Sequence, residues 1–500
     1  VHAEPNSVQD LQRRVQKLTS ILEVAKAITA ERDLDLLLPL IMTEAAKVVD
    51  ADRCSLFILD RERKELWSKV AQGATAEIRV PVGKGIAGGV AQTGEVINLS
   101  DAYADPRFNR TIDLSTGYRT RTILCVPMRD AAGEVTGVIQ ALNKRGGTFT
   151  AEDEELLVAL GAQAAVAIEN ALLHDEISRL FEGFVSASVV AIEQRDPSTA
   201  GHSGRVASLT VHLAQALEYS TCSVYAGTRF SHHDIQEIRY ASLLHDFGKV
   251  GVREPVLVKA QKLYPEEVLL LRHRFELARK DRQLESYKHR LRSVAMLGYS
   301  ALGEITVEEN QRLEAALKEL DDALEFVLAC TRPSLLTEEG FERLTEIGEL
   351  SFRDSRDQQH HLLAENEIRL LSIPRGTLSP TERKEIESHV THTFRFLSQI
   401  PWTRALRRVP EIAYGHHEKL DGTGYPRAIR GDEIPLQSKL MAIADIYDAL
   451  TASDRPYKKA VPHPVALDIL SKEVAAGQLD KDLYAVFIEA DVPRMAIKPK

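Results

Sequence analysis

Periodicity predicts a multidomain chain: an α+β domain joined by a long helix to an all-α helical bundle that carries a helical insertion. Three observations predict it. Short strand-like runs are confined to residues 33–175. Helical periodicity runs from Ser186 to Leu217 and from Asp234 to Lys249, with no convincing period-two stretch. Apolar residues at heptad-like spacing mark the junction. With 500 residues, 44% hydrophobic and 27% charged, the chain has room for two or three cores.

In chain order, residues 1–32 come first. Leu11, Val15, Leu18, Leu22 and Ala25 repeat at spacings of 4, 3, 4 and 3, a coiled-coil seam in a helix too short to stand alone. Pairing with a second copy, a homodimer, is the expected remedy. Within 33–175, Arg53 to Leu59 and Leu66 to Ala71 read as strands, and Thr122 to Pro127 pairs with Val135 to Leu142 around a turn at Asp130 to Gly133. Val166, Leu173, Ile177, Leu180 and Phe184, at 7, 4, 3 and 4, carry one helix through a linker at 176–192. Such a helix can transmit a twist or a shift. Residues 193–500 form the bundle.

Composition narrows the function classes. No run of about 18 apolar residues and no signal peptide is read, so the segment is expected to be cytoplasmic and not membrane-spanning, with an anchor before Val1 left open. Cys54, Cys125, Cys222 and Cys330 form no CxxC pair, which suits a reducing compartment and buried thiols. A net charge of -10 argues against a nonspecific nucleic-acid binder, so no nucleic-acid partner is expected and the ligand should be small.

The chemistry lies in His416-His417-Glu418-Lys419-Leu420-Asp421-Gly422-Thr423-Gly424-Tyr425-Pro426 and, far upstream, His245-Asp246-Phe247-Gly248-Lys249. Adjacent histidines offer neutral nitrogen ligands, and a His-Asp pair offers one nitrogen plus a carboxylate able to bridge two ions. The combination reads as a multi-metal hydrolytic site for phosphoesters. Three further motifs follow the same order: Ala200-Gly201-His202-Ser203, Ala444-Asp445-Ile446-Tyr447-Asp448-Ala449-Leu450-Thr451, and Asp454-Arg455-Pro456-Tyr457-Lys458. Together these five resemble the HD-GYP family, a bacterial branch of the HD metal phosphohydrolases that opens cyclic di-GMP, over roughly the last 320 residues.

The resemblance implies a Pro-started helix bearing another metal-binding histidine shortly after the His-Asp motif. Two candidates exist, Pro265 leading to His273 and Pro380 leading to His389. His389 lies nine residues after Pro380 and 27 before His416, close to the family spacing, whereas His273 lies 143 before His416. His389 is therefore preferred over His273 and over its neighbour His392, and an insertion is placed at 262–377. Within it Leu313, Leu317, Leu320, Leu324 and Val327 suggest a helical hairpin.

By this resemblance His202, His245, Asp246, His389, His416, His417 and Asp445 are the metal ligands, and Asp246 and Lys249 the catalytic pair. On a continuing helix His245 and Asp246 diverge by about 100°, while Lys249 shares the face of Asp246. Asp448 either orients a ligand or forms an ion pair; both readings stand. Family members with a third ion have a glutamate where this chain has Ser198, so two divalent ions are expected, and the N/O donor set suits iron or manganese. Arg455, Lys458 and Tyr425 are candidates for holding the substrate. His232-His233-Asp234 reads as a solvent-facing helix start.

The glycine-rich Val82 to Val90 and the strand ending in Leu142-Asn143-Lys144 resemble the GAF domain. Asn143, Lys144, Phe149, Asp153 and Glu154 reproduce the pattern of those that bind cyclic nucleotides, making them candidate ligand-binding residues; equally, Phe149 could pack and the acids could open a helix. The expected function is thus hydrolysis of cyclic di-GMP to pGpG, and further to GMP, under control of the GAF domain. The alternatives are cyclic GMP-AMP or another nucleotide as substrate, and a nucleotide-sensing scaffold without turnover.

Overall fold

The computed structural model describes residues 23–68, 78–196, 200–220, 224–333, 336–452 and 460–497. It divides into two compact units, one ending at Gly183 and the other starting at Phe184, a boundary inside the segment expected as linker. The residues of the N-terminal seam up to Leu22, and those of the Asp454 to Lys458 motif, lie outside the described residues; Ala25 falls in a helical segment at 23–30.

In the first unit, α1 (Leu34–Val48) starts at an Asp33 cap and leads into β1 (Ala51–Asp60), β2 (Glu65–Ser68) and β3 (Ile78–Pro81). Helix α2 (Gly85–Thr93), β4 (Ile97–Leu99), α3 (Arg110–Thr116), β5 (Ile123–Arg129) and β6 (Val135–Lys144) follow. The sheet is antiparallel in the order β3-β2-β1-β6-β5-β4. Its central pair is registered by Leu56 opposite Ile139. Alternation on β1 serves two faces: Cys54, Leu56 and Ile58 enter one core with α1, while Phe57 enters another with Ile86 and Val90 of α2. The expected turn closes through Gly133 N–H to Asp130 O.

Helix α4 (Ala151–Arg195) is 45 residues long. Part of it is apolar enough, at mean hydropathy 1.8, to meet the length and composition of a membrane span, contrary to the expectation from sequence. Alanine-rich packing accounts for this: Leu157, Leu160, Ala164, Ala165, Ile168 and Ala171 are buried in the core beside the sheet.

Among its described residues, the second unit is helical save for the two-stranded pair β7 (Ser351–Arg353) and β8 (Gln359–His361). Its helices are α5 (His202–Tyr219), α6 (His232–Leu244), α7 (Glu254–Leu257), α8 (Pro265–Leu297), α9 (Leu302–Cys330), α10 (Glu338–Glu349), α11 (Glu365–Leu371), α12 (Pro380–Leu397), α13 (Val409–Tyr414), α14 (Leu436–Thr451), α15 (His463–Ala475), α16 (Lys481–Glu489) and α17 (Val492–Ile497). The segment at 262–377 has its own core, formed by Leu271 and Phe275 of α8, Leu320 and Val327 of α9, Leu344 of α10 and Leu371 of α11. Leu313 and Leu317 of the expected hairpin seam are only half-buried.

Candidate metal centre

The site is assembled from the ends of three helices, α5, α6 and α13, the middles of α12 and α14, and one loop. His202 is the first residue of α5, entered through Gly201 in the left-handed conformation. His245 closes α6, and Asp246 leaves it to open a 3₁₀ turn at Phe247–Gly251. The expected continuous α-helix therefore stops at His245. The tighter turn eclipses residues three apart, bringing Lys249 Nζ 2.9 Å from Asp246 Oδ2.

Helix α12 begins at a Ser379 and Glu382 capping box with Pro380 in its first turn. It carries His389 inward, one turn before Thr393. Thr393 Oγ1 accepts from Gly248 N–H at 2.8 Å and donates to His245 O at 2.9 Å, fastening α12 to the turn. A side chain at position 248 would collide with the backbone of His389, so this approach needs glycine. His416 and His417 follow α13. Tyr425 N–H returns to His417 O at 3.2 Å, which places the tyrosine ring 4.8 Å from that of His417. Asp445 and Asp448 share a face of α14.

These elements bring together all seven residues read as ligands. His202 Nε2 lies 3.2 Å from Asp445 Oδ1, His389 Nε2 lies 3.3 Å from Asp246 Oδ1, and His245 Nε2 lies 3.5 Å from Asp246 Oδ2. Three overlapping sets have ligand atoms within 4.8 Å of one another: His389, His416 and His417; His202, His245 and Asp445; and His245, Asp246 and His416. His273, by contrast, sits exposed on α8, and His392 lies against Gly251, beside the turn. His232 and His233 are exposed next to a Ser231–Asp234 capping box.

The remaining ring nitrogens explain why the cluster is open. Nδ1 of His245 donates to Ser242 O at 2.7 Å, Nδ1 of His416 to Ala413 O at 2.6 Å, and Nδ1 of His389 to Ile386 O, each three residues back. That fixes the tautomer and turns each Nε2 lone pair inward, the arrangement metal ligation requires. Nε2 of His389 and of His416 is buried without a hydrogen-bond partner. Burial holds His416 and His389 below the ordinary imidazole range and brings His417 down to about 4, so these rings are neutral near pH 7. Asp246 stays ionised: burial opposes this, but Lys249 and the surrounding imidazoles hold it well below the usual carboxylate range. Buried orphan nitrogens around anionic carboxylates, with no thiolate, form a donor set for divalent cations.

Two groups behind the ligands were less legible. Asp448 accepts from His202 Nδ1 at 2.7 Å and is itself held by Arg205 Nε at 2.6 Å, so it orients a ligand and forms an ion pair at once. Asp196 reaches Lys249 Nζ at 3.1 Å. No motif spacing announces Arg205 or Asp196. Ser198, Arg455 and Lys458 lie outside the described residues.

In the first unit the structure separates the motif from the cavity. Lys144 Nζ binds Asp153 Oδ1 at 2.7 Å and Val49 O at 3.1 Å, Phe149 is core, and Glu154 accepts from Asn98 Nδ2 at 2.7 Å. Asn143, at φ 54°, accepts from Arg121 N–H and donates to Tyr118 Oη. None of the five lines the cavity of about 550 Å³ beside the sheet. They fasten β6 to the start of α4, and only Asn143 touches the cavity wall, through Tyr118. Instead, Arg53, Arg79, Lys84 and Arg107 surround the cavity with Phe57 and Phe108. Period two on β1 would have grouped Arg53, Ser55 and Phe57, but no motif marks the rest.

Residues 33–168 match the profile of the GAF domain and residues 365–483 that of the HD domain, the latter match opening before the expected end of the insertion at 377. The chain therefore has a GAF-plus-HD architecture, an α+β GAF domain followed by a helical HD region. It is 36% identical over 194 residues to the probable 3′,5′-cyclic phosphodiesterase pde-5 of Caenorhabditis elegans, covering 35% of this chain and 26% of that protein. It is 43% identical over 166 residues to the dual 3′,5′-cyclic-AMP and -GMP phosphodiesterase 11A of Takifugu rubripes, covering 30% and 18%. The chain thus spans about a quarter of these curated relatives or less. Among solved structures it is 25% identical to the GAF domain of a phosphoenolpyruvate-protein phosphotransferase from Coxiella burnetii, covering 32% of this chain and 96% of that one at a TM-score of 0.30.

Proposed function

We propose that the second unit is a metal-dependent phosphodiesterase for cyclic nucleotides, with cyclic di-GMP as its substrate and pGpG, then GMP, as products. One observation carries the reading: three histidines whose Nδ1 atoms are pinned by backbone carbonyls turn their Nε2 atoms onto two buried carboxylates. His202, His245, Asp246, His389, His416, His417 and Asp445 would hold two divalent ions, iron or manganese by donor type. Bound there, such ions polarise phosphoryl oxygen and make water nucleophilic near neutral pH.

The chain's own groups do the rest. Lys249, held between Asp246 and Asp196, presents an ammonium to phosphoryl oxygen. Tyr425, whose hydroxyl is kept protonated by burial and the nearby carboxylates, donates a hydrogen bond to the diester from above His417. Arg455 and Lys458 supply further cations for phosphate. The Gly422 to Pro426 turn beside the histidine pair supports the cyclic dinucleotide. The names of the relatives favour a second reading, in which 3′,5′-cyclic AMP or GMP is the substrate.

The GAF cavity, with four cationic side chains and two phenyl rings, fits a cyclic nucleotide as regulator. Leu173, Ile177, Leu180 and Phe184 lie 41% to 75% exposed along α4 at coiled-coil spacing, which fits a homodimer paired through this helix. Cys54, Cys125 and Cys330 are buried thiols outside any disulfide, which suits a cytoplasmic setting. The test is metal analysis of the purified protein together with product analysis on cyclic di-GMP, cyclic AMP and cyclic GMP. Release of pGpG by metal-loaded protein is the expected result; a metal-free protein inert toward all three would overturn the reading.

A further inference from the structure

Helix α4 runs unbroken from Ala151 to Arg195, and its residues 173–180 are exposed on every side. Before that stretch its side chains belong to the core beside the sheet; after it, Val185, Ser188 and Ile192 are buried again. The chain leaves the helix at Asp196, whose N–H still bonds to Ile192 O at 3.0 Å. The last two residues then grip the turn that carries the metal-site aspartate. Asp196 Oδ2 holds Lys249 Nζ at 3.1 Å, and that same nitrogen lies 2.9 Å from Asp246 Oδ2. Arg195 reaches Glu254 Oε2 at 3.1 Å and Val252 O at 3.4 Å. The helix end therefore holds the turn at Lys249 and again just beyond it.

We propose that Asp196 is a positioning residue for Lys249, and that the rotational setting of α4 regulates the metal site through it. This rests on the phosphodiesterase reading for its output but not for its geometry. A helix transmits rotation because its hydrogen-bonded backbone turns as a unit, by about 100° per residue. Lys249 has two buried carboxylate partners, so withdrawing Asp196 leaves its ammonium to Asp246 alone. A displacement of about 1 Å at such a group is enough to change turnover strongly.

The experiment uses the full chain with five or seven alanines inserted after Ile177, each in the native sequence and with Asp196→Asn. Seven residues return a helix nearly to its starting phase, within about 20°, whereas five leave it about 140° away. In the native background, five alanines should lower kcat on cyclic di-GMP by ~10-fold or more with metal content unchanged, and seven should change it by less than about threefold. With Asp196→Asn, basal kcat should fall and the two insertions should become equal. Hydrogen exchange of residues 247–251 is the second readout: five alanines, not seven, should accelerate it in the native background. Equal effects of both insertions there, or a phase difference that survives Asp196→Asn, would overturn the proposal. If no variant hydrolyses anything, the exchange data still decide it, and only the phosphodiesterase reading falls.

Discussion

The metal centre and the Asn143 to Glu154 cluster use the same materials, cations and carboxylates in direct contact, and differ in where their polar atoms point. In the GAF cluster every partner is internal: Lys144 gives to Asp153 and Val49, and the second Asp153 oxygen accepts from Thr150 N–H at 2.8 Å and Thr150 Oγ1 at 2.9 Å. In the HD region the backbone takes Nδ1 of His389 and of His416 and leaves Nε2 of both rings buried without a hydrogen-bond partner. A closed cluster is a fastener, because its hydrogen-bonding capacity is spent. An open one costs free energy unless something outside the chain fills it. Motif matching alone ranks the two alike; polar satisfaction separates them.

The largest effect that would sharpen this contrast is at Asp246. Asp246→Ala removes the carboxylate that faces His202, His245 and His389. Bound metal and turnover should both fall, turnover by more than ~100-fold. Elemental analysis and a phosphodiesterase assay check it, and full metal with full turnover would break the comparison on its open side.

On the closed side, Asp153→Ala should act on folding. It strands Lys144, whose side chain is only 18% exposed, and frees Thr150. The expected loss is about 2 to 3 kcal/mol of stability, measured by urea denaturation. Cyclic nucleotide affinity per folded molecule should be unchanged. Lost affinity at full stability would return Asp153 to the ligand set. The converse variant is Lys84→Ala: Lys84 is exposed at the cavity, so its loss should weaken cyclic GMP or cyclic AMP binding about tenfold, by calorimetry, with little change in stability.

What the sequence made legible follows from this contrast. Ligands on short motifs were visible because local chain geometry fixes them: His245 with Asp246, the His416–His417 pair, and His389 at a set distance from a capping box. Their supports were hidden because they meet across the fold. Arg205 lies 243 residues from Asp448, and Thr393 lies 148 from His245. The cavity cations come from β1, β3 and two connecting loops and follow no period beyond β1. The role of Asn143 depends on Tyr118, 25 residues upstream, which no local pattern links to it. The end of α6 was misjudged for a local reason: apolar periodicity continues through His245, but Gly248 and the close approach of α12 force a tighter turn.

The smallest expected effect tests a closed cluster at the edge of the open one. Glu382, two turns before His389 on α12, accepts from Lys259 Nζ at 2.8 and 2.9 Å, from Tyr264 Oη at 2.6 Å and from Ser379 N–H at 2.8 Å. Burial would raise its pKa, but Lys259, Tyr264 and Ser379 bring it down to about 2. A carboxylate depressed in the folded state contributes stability that is complete above its unfolded value of about 4.3 and is lost as pH falls toward the folded value. Glu382→Gln removes the charge at every pH. The variant should therefore be less stable than the native protein by about 1 kcal/mol near neutrality, and the gap should narrow steadily below about pH 4. Because α12 also carries His389, the closed cap is expected to matter to the open centre only through the helix start, so metal content at neutral pH should hold. A stability gap independent of pH would show that Glu382 fastens α12 by shape alone, and loss of metal in the folded variant would show that the two clusters are not separable.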